Sequence, residues 1–211
     1  MFKKLLMPLF VAACFSPLMY ADVEGSIGVD SDYFWRGVSQ NDGNPSANLN
    51  LEYQGNGFYA GTWLGQVDFG DEVKHENDFC AGYALALTDD MAVDVGLIQY
   101  KYDTLIEDTE EIYVGVSLNN FVLYHHVNLD NSDLTFTEVS YTLPFITQMN
   151  VSVLYAMHSD EAAVMMGGDE DHFGMKLSKD LGNFTLSAMV MDGARHGDIM
   201  DNASIGLHYN F

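Results

Sequence analysis

The chain has 211 residues, of which 31 are acidic and only 8 are Lys or Arg, so its formal net charge is −23. This excess of carboxylates excludes nucleic-acid binding through phosphate contacts. The sequence is also 48% hydrophobic and 13% aromatic, which excludes a solvated, disordered acidic chain.

Residues 1–21 have the organisation of a secretory signal peptide. A positive start at Lys3 and Lys4 precedes an apolar run that is too short to span a bilayer, and cleavage is expected after Ala21. A competing processing site resembles a lipoprotein box and would leave Cys14 lipidated. Both alternatives predict export from the cytoplasm and a mature domain that follows the signal peptide.

The remaining sequence, 22–211, consists of short segments in which apolar and polar residues alternate, the period-two pattern of strands with one apolar face. No stretch there approaches the length of a transmembrane helix, so residence in a membrane would require a closed barrel. No helix and no linker are predicted. The twelve predicted strands are 23–36, 46–54, 58–69, 78–88, 91–102, 111–119, 121–129, 134–144, 149–159, 171–181, 184–192 and 202–211.

The connections between these strands alternate between short and long. The short ones are turn-like and lie at 54–57, 88–90, 119–120, 144–148 and 182–183. Most of the others are longer: 37–45, 70–77, 103–110, 160–170 and 193–201, with 130–133 as the exception. The sequence therefore predicts a single antiparallel transmembrane β-barrel of about twelve strands, with both termini and the tight turns in the periplasm. A small soluble periplasmic barrel is the alternative fold.

One motif near the start of the domain is specific. It reads SDYFWRGVSQNDGNP at 31–45 and is followed by FYAGTW at 58–63 and VDF at 67–69. Shorter stretches continue the likeness at 81–83, 113–116, 138–141 and 177–182. Together they resemble the TorF-type porin family of bacteria, also known as Gcw_chp. The resemblance implies a barrel in the cell outer membrane that acts as a porin for small solutes.

The alternation at this motif predicts which side chains face lipid. If strand 23–36 is unbroken, Tyr33 and Trp35 lie on the lipid face as part of an aromatic belt, and Asp30, Asp32 and Arg36 lie on the lumen face. We expect Asp32 and Arg36 to pair with each other at the base of the outer loop, in preference to clamping a substrate.

Polar residues of one parity on the other strands complete the predicted pore lining. The candidates are Asp30, Asp32, Arg36, Asn50, Glu52, Asp94, Glu138 and Lys176. Carboxylates outnumber cations in this set, and the predicted outer loops are acidic as well. These charges predict a narrow, cation-preferring diffusion channel with no cofactor. The inward register of 58–69 and 121–129 is left open by the pattern.

Two other function classes are compatible with a barrel. An enzyme acting on lipid or peptide could use Ser140, Ser152 or Ser159 with His126 or His158, but no local motif distinguishes any of them. We therefore predict that the protein is not an enzyme. A structural or adhesive barrel would have the same strands and a plugged, non-conducting lumen.

Metal binding by the loops is a further alternative. Its candidates are His75, Glu76, Glu170, Asp171, His172, His196 and Asp198, and their spacing matches no structural zinc site. We expect instead an acidic rim that attracts cations loosely, including those that bridge surface lipopolysaccharide.

The last predicted strand has the most regular pattern in the chain. Its apolar residues are Ala203, Ile205, Leu207, Tyr209 and Phe211. This ending resembles the signal by which the barrel-assembly machinery recognises outer-membrane proteins, so Tyr209 and Phe211 are the candidate assembly signal. The expected partners are outer-membrane lipid, lipopolysaccharide, that machinery, and small solutes or cations.

Overall fold

The structure is a computed structural model, and it describes residues 22–69, 73–103, 108–166, 171–192 and 203–211. The predicted signal peptide lies outside these residues, so cleavage after Ala21 and lipidation at Cys14 both stay predictions.

Almost all of the described chain is β-strand. The strands are β1 (Asp22–Asp30), β2 (Phe34–Trp35), β3 (Val38–Ser39), β4 (Ser46–Gly55), β5 (Phe58–Gln66), β6 (His75–Ala86), β7 (Met91–Tyr102), β8 (Thr109–Leu118), β9 (Phe121–Asn128), β10 (Thr135–Thr142), β11 (Asn150–His158), β12 (Asp171–Leu181), β13 (Phe184–Met191) and β14 (Ala203–Asn210). One helix, α1 (Asp160–Met166), follows β11. Among the described residues there is no helix of the length and apolarity that a membrane crossing requires.

Twelve of these strands form one closed antiparallel barrel. Each strand from β4 to β14 pairs with the next in sequence, and β1 closes the barrel by pairing with both β4 and β14. The predicted fold class, a single twelve-stranded antiparallel β-barrel, is therefore confirmed. Both ends of the barrel chain lie at the end that carries the short turns, since Gly25 of β1 exchanges two backbone hydrogen bonds with Phe211.

Alternation along each strand separates an apolar outer face from a polar lumen. Ile27 and Leu207 are about half exposed on the outside of neighbouring strands, which is the arrangement expected of side chains that contact lipid. The two open registers are also resolved. In β5 the outward residues include Phe58 (64% exposed), whereas Trp63 is fully buried on the lumen side. In β9 it is His126 that faces the lumen.

The first strand of the barrel is shorter than the predicted strand 23–36. β1 ends at Asp30, and the chain then turns into the barrel and forms the short hairpin β2–β3. The turn of this hairpin is Arg36-Gly37, with φ angles of 48° and 82°, the left-handed conformation that two-residue hairpin turns require. Alternation continues smoothly across Asp30 in the sequence, so the pattern alone does not mark this break.

The predicted lipid-facing positions of Tyr33 and Trp35 are consequently wrong. Tyr33 packs at a tilt against the buried ring of Trp63 with centroids 4.8 Å apart, and Trp35 meets Tyr100 edge-on at 5.4 Å. Both partners lie on the lumen side of the wall. The two rings pack inside the barrel because the chain turns inward after Asp30.

Helix α1 is a second departure, because no helix was predicted. Ser159 precedes the helix, and its carbonyl accepts a hydrogen bond from the Ala163 N–H at 2.9 Å. Asp160 and Glu161 occupy the first turn, where negative charge is favourable. The helix is only 7 residues long, which is too short for a periodicity signal.

The orientation of the barrel in the membrane can be tested with an inserted epitope. We expect a tag at the exposed residue Ser132, in the loop after β9, to be accessible to antibody on intact cells. A tag at Asn119, in the turn between β8 and β9, should become accessible only after the outer membrane is opened. The reverse labelling pattern would overturn the predicted periplasmic termini.

Candidate pore and its constriction

Residues 31–45, here called the inward hairpin, lie across the lumen. Phe34 and Val38 are 7% and 5% exposed, and Phe34 packs against Leu154 of β11 and Met191 of β13. The base of the hairpin is held by the Ser39 hydroxyl, which donates to Asp32 Oδ1 at 2.8 Å. The hairpin therefore occupies part of the barrel lumen.

Arg36 at the tip of the inward hairpin is clamped to the opposite wall. Its two terminal nitrogens donate to the two carboxylate oxygens of Glu111 at 2.8 and 2.6 Å, and both side chains are more than nine-tenths buried. The Tyr100 hydroxyl donates to Glu111 Oε2 at 3.2 Å. The guanidinium also lies 4.2 Å from the ring centroid of Trp35 and 4.4 Å from that of Phe136.

This clamp corrects one prediction. Arg36 does enter the lumen, but its ionic partner is Glu111 on β8 and not Asp32. Asp32 is instead used within the fold, because its carboxylate accepts from Ser39 and its backbone carbonyl accepts from the Ser204 hydroxyl at 2.6 Å. The predicted pair fails because the turn at Arg36-Gly37 carries the arginine away from the base of the hairpin.

Three histidines surround the clamp. His158 Nε2 donates to the backbone carbonyl of Arg36 at 3.1 Å, and His126 Nδ1 lies 3.3 Å from Glu111 Oε2. The ring of His172 lies so close to Gly37 that a Cβ atom there would be 2.8 Å from the ring. Glycine is thus required at this position both by its φ angle and by the contact.

Asp94 lies in a tyrosine network on the wall between β5 and β9. Its carboxylate accepts from the hydroxyls of Tyr59 at 2.9 Å and Tyr124 at 3.1 Å, and Tyr59 also bonds Tyr113. The predicted pore-lining residue Asp94 therefore faces inward but is covered, being 1% exposed. The three tyrosine rings occupy the space that a Cβ atom would need at Gly82, Gly96 and Gly115.

The other predicted pore-lining residues also lie on inward positions of their strands. Asp30 accepts from Asn48 Nδ2 at 2.7 Å and lies 3.1 Å from His208 Nε2. Glu138 and Lys176 are brought to 4.0 Å from each other, across β11. Glu52 accepts a hydrogen bond from Gln54, and Asn50 lies beside it on the same face of β4. Their role in lining the pore stays a prediction.

Several inward carboxylates were not among the candidates. Glu111 lies between the outward residues Glu110 and Ile112 of β8, Glu76 lies in a part of β6 that was predicted to be a loop, and Asp78 is the first residue of the predicted strand 78–88. Glu76 and Asp78 are 4% and 3% exposed. Ile112 and Phe79 are apolar and face outward, so alternation from these two residues could have predicted that Glu111, Asp78 and Glu76 face the lumen.

A cavity of about 290 Å³ lies between the inward hairpin and the long-loop ends of β7 to β11. Its walls combine aromatic rings with planar polar groups. The lining includes Trp35, Arg36, Gln40, Tyr102, Glu111 and Asn128.

The residues proposed for catalysis have structural partners in the wall. Ser152 exchanges a hydrogen bond with Thr142 at 2.9 Å, and the Ser159 hydroxyl accepts from the Thr135 N–H at 3.1 Å. His158 is committed to the hairpin carbonyl, as described above. These contacts give Ser152, Ser159 and His158 a role in the fold.

The candidate metal ligands are dispersed where the structure describes them. His75 Nδ1 lies 2.9 Å from Asp103 Oδ2 at the exposed rim, whereas Glu76 faces the lumen. Asp171 is exposed and His172 is buried on the opposite face of β12. Glu170, His196 and Asp198 lie outside the described residues. Over the residues that are described, no group of three or more His, Cys, Asp or Glu side chains could hold a metal ion.

Comparison with known proteins gives one matching family and several solved structures of similar fold. The family model described as a bacterial protein of unknown function (Gcw_chp) matches residues 16–143. No curated protein matches the sequence. Among solved structures, the KdgM porin in complex with disordered oligogalacturonate is similar over 91% of this chain and 99% of its own, with a TM-score of 0.61 and 10% identity.

Two further solved structures are similar. One is a membrane protein from work on the mechanism of in-meso crystallization, with a TM-score of 0.55, 8% identity, and coverage of 89% of this chain and 83% of that chain. The other is outer membrane phospholipase A from Escherichia coli, with a TM-score of 0.48, 12% identity, and coverage of 90% and 91%. At 10% and 8% identity, the likeness to the KdgM porin and to the in-meso structure is one of fold.

Proposed function

Because the chain belongs to the Gcw_chp family of bacterial proteins and has a porin-like barrel, we propose that it is a narrow, cation-preferring diffusion channel of the cell outer membrane. The observation that carries the proposal is the lumen itself. Polar or charged side chains occupy inward positions on most barrel strands, beside a cluster of buried rings that includes Tyr59, Tyr100 and Tyr124, and the inward hairpin narrows the lumen. A barrel that served only as a scaffold could fill this space with apolar side chains, as small barrels do.

The charge of the lumen supports cation preference. Inward carboxylates occur on β1, β4, β6, β7, β8 and β10, whereas the described inward cations are Arg36 and Lys176. Arg36 is neutralised by Glu111, and Lys176 lies beside Glu138. The uncompensated charge is therefore negative. Such a lumen repels polyanions, so the oligogalacturonate found with the KdgM porin is not proposed as a solute here.

The structural and adhesive alternative differs in one measurable property. If the inward hairpin seals the lumen, the refolded protein will insert into a planar bilayer without conducting. The enzyme alternative would require turnover of phospholipid or peptide in detergent, lost on replacement of His126 or His158 separately.

Selectivity is measured by the reversal potential under a KCl gradient, and we expect a preference for potassium. Glu52→Gln should weaken this preference even at about 1 M salt, where the Debye length of about 3 Å suppresses the contribution of the rim. Asp94→Asn should also weaken it, through the field of a buried charge. The matched control is Asp89→Asn, which removes a carboxylate from an exposed short turn and should leave selectivity unchanged. A preference for chloride in the unaltered protein would overturn the proposed cation selectivity.

A further inference from the structure

We infer that the cavity beside the inward hairpin is a binding subsite for a small uncharged saccharide. The inference rests on the proposed function, since it names a class of solute that would occupy the channel on its way through. It is carried by four features of the cavity: its size, its aromatic rings, its fixed planar polar groups and its charge balance.

The size fits one or two sugar rings. The cavity of about 290 Å³ is just below the roughly 300–1,000 Å³ that is usual for small-molecule sites. It lies at the long-loop ends of β7 to β11, where the hairpin leaves space along the wall. A solute that enters from this end would meet the cavity at the constriction.

The aromatic rings offer flat apolar surfaces. Trp35, Phe69 and Tyr102 line the cavity and are each partly exposed. Phe69 and Tyr102 meet edge-on with centroids 5.8 Å apart, which fixes both rings. The C–H face of a pyranose ring is apolar and flat, and it packs on such rings without desolvating its hydroxyl groups, which project from the ring edge.

The polar groups of the cavity are planar and already held in place. Asn128 Oδ1 accepts from the N–H groups of Asp130 and Asn131 at 2.9 and 2.8 Å, and Gln40 Nε2 donates to the Val38 carbonyl at 3.0 Å. Vicinal hydroxyls of a sugar both donate and accept, and they pair well with amide, carboxylate and guanidinium edges. Groups that are fixed before binding lose little entropy when the ligand arrives.

The charge balance favours an uncharged ligand over an ionic one. Arg36 and Glu111 satisfy each other in a two-pronged ion pair, and both are more than nine-tenths buried. An anion or a cation could take one of these partners only by leaving the other charge buried and unpaired. A neutral polyol can bond the outer edges of the pair without separating it.

Tryptophan fluorescence provides a direct test. The chain has two tryptophans, and Trp63 is fully buried against Tyr33 whereas Trp35 lines the cavity. In the Trp63→Phe protein, refolded in detergent, Trp35 is the single reporter. We expect maltose or cellobiose to change its emission in a saturable way, and galacturonate to have no such effect. If Trp63→Phe fails to fold, calorimetric titration of the unaltered protein with the same sugars measures saccharide binding independently.

Variants at Tyr102 locate the site. Tyr102→Ala should weaken saccharide binding about tenfold through loss of the stacking surface, while Tyr102→Phe retains the ring and should bind as the parent does. The matched control is Tyr155→Ala, which removes a tyrosine from the outer face of β11. Equal binding by Tyr102→Ala and the parent would overturn the assignment of the cavity.

The outcome is separable from that of the channel proposal. Absence of any saturable response to neutral saccharides up to about 100 mM, a range that covers millimolar affinities, overturns the subsite whether or not the barrel conducts. A response to galacturonate alone overturns it as well. Saturable binding of neutral saccharides by a barrel that passes no current would support the subsite and overturn the channel.

Discussion

Replacement of Glu111 with Gln is expected to raise the mean single-channel conductance and to add rapid current fluctuations. The substitution leaves the Arg36 guanidinium buried without its counter-charge, a change that typically costs about 3–5 kcal/mol. This cost falls on the seated hairpin alone, so the equilibrium between seated and displaced hairpin shifts by at least about 100-fold toward the displaced form. The measurement is single-channel recording in a planar bilayer.

Matched variants separate the clamp from the charge of the lumen. Arg36→Met changes the lumen charge in the opposite direction to Glu111→Gln, yet it breaks the same ion pair and should also raise conductance. The double variant should be less affected than the sum of the two single ones, because the residues act as one unit. Lys101→Met removes an exposed ion pair with Asp108, 3.1 Å long, and should leave the current unchanged. Wild-type conductance and noise in both single variants would show that the hairpin does not gate the passage.

The barrel was predictable because the alternation that identifies each strand is visible within about ten neighbouring residues. A strand that separates lipid from a polar lumen must alternate, and in β7 and β12 the pattern gives both bounds as the structure has them. Closure also follows from an even number of strands with both ends at the short turns. Most of the other barrel strands are shorter than predicted, β1 most of all, whereas β6 and β8 begin earlier than predicted because polar residues such as Glu76 extend them.

The constriction was not predictable in the same way, because its contacts are long-range. Arg36 and Glu111 are 75 residues apart in the chain, and the sequence around either residue does not indicate that the two are paired. Alternation also continues from β1 into the inward hairpin, so Tyr33 and Trp35 have the parity of lipid-facing residues. The only local sign of the turn is Gly37, whose positive φ angle of 82° suits glycine. Buried contacts inside a lumen thus override a pattern that fits the membrane equally well.

Deletion of Phe211 is expected to reduce the amount of protein inserted in the outer membrane about tenfold or more while leaving export to the periplasm intact. The backbone of Phe211 both donates to and accepts from Gly25 at 2.9 Å, and these bonds finish the seam at which β14 meets β1. An unpaired strand end is costly in hydrocarbon, where no water replaces the missing partner.

The contribution of the Phe211 side chain to assembly can be measured separately from that of its backbone. Its ring is 58% exposed on the outer face, stacks near Tyr209 at 6.3 Å and covers Gly25. Phe211→Ser keeps the backbone bonds and removes the ring, so it tests the proposed recognition by the assembly machinery, whereas Phe211→Tyr keeps the ring and serves as the control. Heat-modifiable gel mobility of membrane fractions reports the folded, inserted form. If Phe211→Ser reaches the membrane at the level of Phe211→Tyr while the deletion does not, closure of the seam is what assembly requires, and the terminal ring is not the signal.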